Sequence, residues 1–216
     1  MNKNTLYTGA LYDAMRFDLN VLNPFVLKSS IKPINSGDTL LGPAFTCKGE
    51  KVLDPSAIDD SIRIKMFEKF KNGCVQVISS GGFTDVAQFG DISGKIAKKI
   101  GAAGAVLDGP TRDSDLIRND GFKLWCGGTQ PIDAYGRWQI TEFQVPITMP
   151  GIEGDVTVYP DDLIFADGDG IIVIPKDRCK EILDAALTRV KSENNIRVSI
   201  SKYDDISEMY KELGRW

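Results

Sequence analysis

The sequence predicts a mixed α/β domain, and three observations carry this prediction. Between residues 75 and 126, short apolar segments alternate with helical ones, as they do in a parallel sheet with helical crossovers. Between residues 145 and 174, short apolar segments are separated by glycine and proline, which is typical of antiparallel strands and turns. The residues after Pro175 have a helical pattern, so we expect a C-terminal helical extension.

The N-terminal part of the chain is expected to supply two helices and one extended segment. Residues 8–17 and 57–71 are predicted to be helical, and Asn72-Gly73 is a suitable C-cap for the second helix. Residues 38–48 are predicted to be extended, with an interruption at Gly42-Pro43. Apolar residues recur at helical spacing in both helices: Leu11 and Met15 in the first, and Ile58, Ile62, Met66 and Phe70 in the second.

The middle of the chain alternates strands and helices. The predicted order is strand, helix, strand, helix, strand, at residues 75–79, 92–100, 105–108, 114–119 and 123–126. A flexible loop from Ser80 to Gly90 joins the first strand to the first helix. Strands joined in this way pair in parallel with right-handed crossovers, so their carboxyl ends share one edge of the sheet.

The second half is expected to be antiparallel and then helical. The predicted strands are residues 145–149, 156–159, 163–166 and 171–174. Asp167-Gly168-Asp169-Gly170 suits a hairpin turn between the last two strands. The alternative is a calcium loop, but an EF-hand requires Glu at its twelfth position, which here is Arg178. Pro175 and Asp177 open a long helix to about Asn195, and a final helix covers residues 204–213.

Length and composition indicate one soluble globular domain over residues 1–216. The net charge of −4 and the absence of a Lys/Arg cluster argue against nucleic acid as a partner. We find no secretion signal and no segment long enough to span a membrane, so we expect a cytoplasmic protein. The four cysteines are widely spaced, which favours free thiols in a reducing compartment.

The chain contains no histidine, and this excludes several kinds of active site. A Ser-His-Asp triad, a Cys-His pair, an imidazole base and His-ligated zinc are all ruled out. Any metal must therefore bind to oxygen or sulfur ligands.

Asp91 and the pair Arg112-Asp113 are the most informative residues. The twenty residues between Asp91 and Arg112 are predicted to form one helix and one strand, which returns the chain to the sheet edge from which it started. Two carboxylates and one guanidinium can therefore meet where open α/β sheets bind ligands. Such a trio can hold a divalent cation and neutralise an organic anion.

Structural roles for the same residues stay open at this stage. Asp91 precedes a helix and can act as its N-cap, while the free amides of Ile92 and Ser93 would form an anion site. Arg112-Asp113 can be a structural ion pair, or Asp113 can cap the next helix. The spacing of the glycines around Asp91 does not match a nucleotide-binding loop. Their structural role would be to allow the chain to turn tightly into the helix. Glu193 has the pattern of a solvated surface residue.

The aspartate, the twenty-residue gap and the Arg-Asp pair resemble the signature of the RraA-like family. That family includes metal-dependent 4-hydroxy-4-methyl-2-oxoglutarate/4-carboxy-4-hydroxy-2-oxoadipate aldolases and the ribonuclease E regulator RraA, and some members were once labelled menaquinone methyltransferases. The resemblance covers about residues 11–197, which it implies as the core of the domain, with a C-terminal helical tail at 198–216. It extends to Gly101–Gly109, to the block from Tyr159 to Pro175 (with Asp161 where the family has glycine), and to Arg189, Glu193 and Arg197.

The resemblance implies an α/β/α fold with a swivelling-domain-like β-core, assembled as trimers or hexamers with sites between subunits. It implies Mg²⁺ or Mn²⁺, with Asp113 as the direct ligand. Asp91 and Glu193 would act through water on the metal, and Glu193 would come from a neighbouring subunit. Arg112 would face the keto oxygen of a 2-keto acid substrate, and the backbone of Gly90, Ile92 and Ser93 would hold its carboxylate.

The resemblance implies a lyase that releases pyruvate from a 4-hydroxy-2-oxo acid by retro-aldol cleavage, with oxaloacetate decarboxylation as a related activity, and the residues fit this chemistry. The enolate that forms requires a Lewis acid and a fixed positive charge. A Schiff-base aldolase is less favoured, because Lys95 and Lys98 lie on a polar helix.

The alternative function is a non-catalytic, RraA-type regulator of a ribonuclease. The loops at residues 80–89 and 129–138 are expected to shape the pocket, and Arg137 can either meet a second carboxylate or lie on the surface.

Overall fold

The computed structural model describes residues 6–23, 25–54 and 60–214, which form six α-helices, three short π- or 3₁₀-helical turns and ten strands. The helices are α1 (Thr8–Asp13), α2 (Asp60–Glu68), α3 (Asp91–Lys99), α4 (Ser114–Asp120), α5 (Cys179–Ser199) and α6 (Ile206–Leu213). The strands are β1 (Lys32–Pro33), β2 (Leu40–Lys51), β3 (Val75–Ser79), β4 (Gly104–Leu107), β5 (Leu124–Cys126), β6 (Trp138–Phe143), β7 (Ile147–Met149), β8 (Val156–Val158), β9 (Leu163–Ala166) and β10 (Ile171–Ile174). None of the helices in these ranges is long and apolar enough to cross a membrane.

Eight of the strands form one mixed sheet, which confirms the predicted fold class. The strand order is β1-β5-β4-β3-β2-β9-β10, and β6 pairs with β2 beyond the point where β9 leaves it. Strands β3, β4 and β5 are parallel, as the alternation of strands and helices predicted, and β2 also pairs in parallel with β3. The hairpin of β9 and β10 is antiparallel, and β7 and β8 form a separate antiparallel pair.

The twelve-residue strand β2 is the centre of this architecture, because it pairs with β3, β6 and β9. The predicted interruption at Gly42-Pro43 is wrong, since β2 runs through both residues. Gly42 is required there by close packing: a Cβ atom would lie 2.2 Å from the carbonyl oxygen of Gly73. The irregularity lies instead at Lys48/Gly49, where the register with β6 shifts.

Three apolar clusters fill the space on either side of the sheet. One lies between the main sheet and the β7–β8 pair and contains the fully buried Trp125. A second lies under α2, α3, α4 and β6, and a third joins α1 and α5 to the β9–β10 hairpin. Helices therefore pack on different parts of one sheet, which places the whole described fold in a single layered unit.

Most predicted elements are present, with shifted boundaries. The predicted helix 8–17 is α1 followed by a π-helical turn at Ala14–Asp18, and the long helix α5 follows a 3₁₀ turn at Lys176–Arg178 and extends to Ser199. The predicted start of the second helix, residues 57–59, lies outside the described residues. Strands β1 and β6 were not predicted.

Asp161, the residue at which the sequence departs from the family pattern, has a positive φ of 69°. Glycine is favoured in this left-handed region, but aspartate tolerates it better than most residues. The Asp161 carboxylate also accepts hydrogen bonds from Lys176 (3.1 Å) and Lys71 (3.5 Å). The hydrogen bond from Lys176 lowers the pKa of Asp161, so the carboxylate stays charged. This ion pair connects the turn at Asp161 to the start of the C-terminal helical region.

Asp167 connects the N-terminal helix to the hairpin. Its carboxylate accepts hydrogen bonds from the amide and the hydroxyl of Thr8, both at 2.8 Å, and from the amide of Asp169 at 3.0 Å. The backbone bond from Asp167 to Gly170 closes the turn, which confirms the hairpin interpretation of this acidic segment. One side chain thus binds both the start of α1 and the β9–β10 turn.

We predict that Asp167→Ala lowers the free energy of unfolding by about 2 kcal/mol, because a charged acceptor of several hydrogen bonds is lost. Asp167→Asn keeps one carbonyl oxygen in place and should cost about half as much. Urea denaturation of the three proteins measures the difference. Equal stability of Asp167→Ala and the parent chain would contradict this role.

Candidate functional site

The loop from Ser80 to Gly90 is fixed to the sheet edge at its beginning and its middle. The Ser80 amide donates to the Asp108 carboxylate at 2.6 Å, and burial raises the pKa of Asp108. The indole of Trp138 donates to the Ser80 carbonyl at 2.9 Å, and the Ala87 amide donates to the Ile132 carbonyl at 2.8 Å. The two loops that we expected to shape a pocket therefore run side by side.

The end of this loop is joined to the segment that carries Arg112 and Asp113. Phe89 and Thr111 form a parallel bridge, and the Arg112 amide donates to the Phe89 carbonyl at 2.9 Å. The fully buried Thr111 hydroxyl also donates to the Phe89 carbonyl, at 3.0 Å. The chain therefore returns through α3 and β4 to the place that it left, as the twenty-residue spacing predicted.

Asp91 is the first residue of α3, and Gly90 occupies the N-cap position with an extended backbone. The N-cap interpretation of Asp91 is therefore wrong. Its carboxylate lies 3.1 Å from the ammonium of Lys95, one turn further along the helix, and the side chain is only 16% exposed. The amides of Ile92 and Ser93 belong to the first turn of α3, where no carbonyl of the same helix can accept from them.

Asp113 has a left-handed backbone, with φ of 57°, at the N-cap position of α4. Its side chain makes no capping hydrogen bond, so capping does not explain the carboxylate. One oxygen of the Asp113 carboxylate lies 3.4 Å from the Arg112 guanidinium. The same oxygen packs against Gly90, and a Cβ atom on residue 90 would lie only 2.9 Å from it. Gly90 is thus the residue whose small size lets the two loops meet at this carboxylate.

All six residues predicted for the site in or beside these two loops line one cavity of about 470 Å³. They are Gly90, Asp91, Ile92, Ser93, Arg112 and Asp113. The other walls come from α2, β3, β6 and the segment at 133–136. Two carboxylates, a guanidinium and a helix N-terminus therefore face a shared space, which is suited to an organic anion.

Glu193 lies elsewhere in the chain, on α5, and it does not contribute to the lining that the described residues give this cavity. Its carboxylate accepts hydrogen bonds from Arg197, at 2.7 Å, and from the hydroxyl of Tyr7. Burial and the hydrogen bond to Glu193 raise the pKa of Tyr7. A role for Glu193 in the site of a neighbouring copy stays a prediction. Arg137 lines a separate depression with Lys51 and Asp85.

The acidic residues in the described ranges form no group of three that could enclose a metal ion. A cage built from three or more carboxylate or thiolate ligands is therefore absent from that part of one chain. It is compatible with Mg²⁺ or Mn²⁺, since Mg²⁺ keeps several waters and is commonly bound through one or two carboxylates and the substrate. The carboxylate of Asp113, with that of Asp91 on the same cavity, matches this donor set.

The cysteines are free thiols, as predicted, and three of them are buried. Burial raises the pKa of Cys47 to about 12, so its thiol is protonated at neutral pH. A buried, protonated thiol is not a nucleophile. None of the four cysteines is among the described residues that line the cavity.

The cavity also contains residues that the sequence did not mark. Arg63 and Phe67 from α2 and Gln76 from β3 line it, although only their helical or strand pattern was visible. Trp138 ends the stretch 129–138 that was expected to shape the pocket, but it belongs to β6, a strand that was not predicted. Thr111 is not part of this lining but joins the two loops at Phe89, and its place next to Arg112 was its one signal in the sequence.

The family model "RraA-like: Aldolase/RraA" matches residues 8–173. A Halalkalibacterium halodurans protein with the provisional name 4-hydroxy-4-methyl-2-oxoglutarate aldolase is 35% identical over 160 residues, which cover 74% of this chain and 71% of that protein. Protein DlpA of Legionella pneumophila is 29% identical over 80% of this chain, but the match spans only 27% of its own length. The crystal structure of Streptomyces coelicolor RraAS2, described as an unusual member of the RNase ES inhibitor RraA protein family, superposes with a TM-score of 0.74 at 27% identity, covering 88% of this chain and 91% of that chain.

We predict that Thr111→Val lowers the free energy of unfolding by about 1–2 kcal/mol, because the buried Phe89 carbonyl loses the hydroxyl donor. Thr111→Ser keeps the hydroxyl and should retain most of this stability. Thermal unfolding of both variants provides the comparison. If the valine variant matched the parent chain, the hydroxyl bond would not be what holds the two loops together.

Proposed function

This chain belongs to the RraA-like family, and from that premise we propose that it is a divalent-metal-dependent lyase. The proposed reaction is retro-aldol cleavage of a 4-hydroxy-2-oxo acid to pyruvate, with oxaloacetate decarboxylation as a related activity. The observation that carries the proposal is the convergence of Asp91, Arg112 and Asp113 on one cavity. The name of the Halalkalibacterium halodurans relative supports the same class of reaction.

The substrate carboxylate would fit the N-terminus of α3, and the substrate keto group would fit Arg112. The amides of Ile92 and Ser93, at the positive end of α3, would hold the carboxylate. The Arg112 guanidinium would lie beside the keto oxygen, where negative charge develops as the C3–C4 bond breaks. Donors fixed in advance at such a position commonly supply the largest share of catalysis.

The carboxylates provide the metal site and the proton chemistry in a chain that has no histidine. Asp113 would hold Mg²⁺ or Mn²⁺, which would supply a Lewis acid that favours the enolate form of the product. Asp91 would orient the water that removes the proton from the 4-hydroxyl group. We propose the same work for Glu193, supplied by a neighbouring copy in a homotrimer or hexamer.

A non-catalytic, RraA-type regulator of a ribonuclease is the second candidate. It is favoured by the structural similarity to RraAS2 over most of both chains. A regulator has no need for two carboxylates and an arginine to share a cavity. We therefore rank the lyase first.

We predict that the purified chain releases pyruvate from 4-hydroxy-2-oxo acids with Mg²⁺ and that EDTA abolishes this activity. Arg112→Ala should reduce kcat/KM by about a hundredfold or more, because a fixed donor to the developing charge is lost. Arg137→Ala is the matched control, since Arg137 lies outside the cavity, and it should retain activity.

The same experiment separates the two candidate functions. Turnover by Arg112→Ala close to that of the parent chain would contradict the proposed mechanism. Recovery of a ribonuclease in a pull-down, without pyruvate release from any acid tested, would favour the regulator.

We also predict that Gly90→Ala weakens Mg²⁺ binding by about tenfold to a hundredfold, the usual effect of disturbing the support of a metal ligand. The new Cβ atom would displace the Asp113 carboxylate, which it would otherwise approach to 2.9 Å. Gly168→Ala is the control, because an added Cβ atom there meets nothing within 4 Å. Calorimetric titration with Mg²⁺ measures the effect, and unchanged affinity would argue against Asp113 as the ligand.

A further inference from the structure

Helix α3 and the residue after it carry an exposed apolar stripe. Ile92, Ile96 and Ile100 follow one another at intervals of four residues, so they lie on one face, and each is between 36% and 69% exposed. The opposite face of α3 packs on the sheet, where Gly94 and Ala97 are buried. Ile92 and Ile96 also line the cavity, so the stripe borders it. Apolar side chains grouped in this way mark an interaction surface.

Helix α6 carries a second exposed apolar stripe. Ile206 and Tyr210 are one turn apart, and they are 75% and 55% exposed. The helix is held to its own chain by another face, on which Met209 is buried. The Asp205 carboxylate caps its first turn by accepting a hydrogen bond of 2.7 Å from the amide of Ser207. Helix α6 thus presents Ile206 and Tyr210 outward on an ordered element.

The two stripes do not cover each other within one chain. Helix α5, which leads towards α6, packs with α1 on the β9–β10 hairpin. Helix α3 instead packs on the other part of the sheet, in the cluster under α2, α3, α4 and β6. Both stripes stay exposed in the described chain, so an apolar partner for either one has to come from another molecule.

Charge identifies which surface fits the stripe of α3. Residues 91–99 contain three lysines and one aspartate, and Lys95 and Lys99 lie beside the isoleucines on the helix surface. Two copies of α3 would therefore repel each other if they packed face to face. Residues 204–213 contain four acidic residues and one lysine, so the segment around α6 is acidic where α3 is basic. Charge and apolar surface together match α6 to α3.

We infer that α6 of one copy of this chain docks on the apolar stripe of α3 of another copy. The two faces are different, so the contact is head-to-tail, and in a closed ring every copy gives one α6 and receives one. Because Ile92 and Ile96 line the cavity, the α6 of the neighbouring copy lies beside the cavity. This contact gives surfaces to the assembly of copies proposed above, and it does not depend on the lyase reaction.

Sedimentation velocity over a wide concentration range tests the contact. The parent chain should self-associate, and Ile206→Lys should raise the Kd about a hundredfold, because an apolar contact is lost and a lysine faces the lysines of α3. Ile100→Asp should weaken association as much, by placing a carboxylate opposite the acidic segment. Ile152→Asp is the matched control: Ile152 is an isoleucine of similar exposure (55%) in the turn before β8, and its replacement should leave association unchanged.

A mixture of the two weakened variants tests whether these particular faces meet. Ile100→Asp retains an intact α6, and Ile206→Lys retains an intact α3 stripe. Mixed together, they can form one undamaged contact, so we expect a one-to-one pair with a Kd about a hundredfold below that of either variant alone. Two copies that met through identical faces would gain nothing from mixing.

Three results would overturn the inference: a monomeric parent chain, an Ile206→Lys variant that associates like the parent chain, or a mixture that forms no pair. Circular dichroism checks that the variants are folded, and Tyr210→Lys replaces Ile206→Lys if that variant is not. None of these measurements uses a substrate. Loss of the contact and absence of pyruvate release are therefore separate results.

Discussion

The joining of two loops at Phe89 and Thr111 is the constraint on which the rest of the site depends. The Arg112 amide and the Thr111 hydroxyl both donate to the Phe89 carbonyl, so the residues after β4 are held beside the residues before α3. This contact places Asp91 and Asp113 on the same cavity although a helix and a strand separate them in sequence. The absence of a side chain at Gly90 then allows the Asp113 carboxylate to lie against the backbone.

Much of this arrangement could be predicted from the sequence because it follows from regular elements. Parallel strands connected by a helix return to one edge, so the spacing between Asp91 and Arg112 was sufficient to bring them together. The left-handed backbone of Asp113 could not be predicted, because residues other than glycine adopt it only occasionally and no local pattern marks it. The N-cap interpretation of Asp91 failed for a related reason, since the helix begins one residue earlier than a capping aspartate requires.

The elements that were missed are those whose stability comes from distant partners. Strand β6 alternates apolar and polar residues only over Trp138–Thr141, and it is held by the second half of β2, with a register shift at Lys48/Gly49. The continuation of β2 through Gly42-Pro43 likewise depends on packing against Gly73, which local sequence does not encode. The apolar wall of the cavity was hidden for the same reason: Ile64 and Phe67 follow an ordinary helical pattern, and only the fold shows which space they face.

The contact between Gly49 and Trp138 links the shape of the cavity to the size of the residue at position 49. A Cβ atom at position 49 would overlap the indole ring, at 1.8 Å from its nearest atom, and that ring is also part of the cavity wall. A larger residue at position 49 is therefore tolerated only together with a smaller one at position 138. Such a paired replacement would widen the cavity without touching Asp91, Arg112 or Asp113, which gives evolution a two-step route to bulkier ligands that leaves the acidic and cationic groups intact.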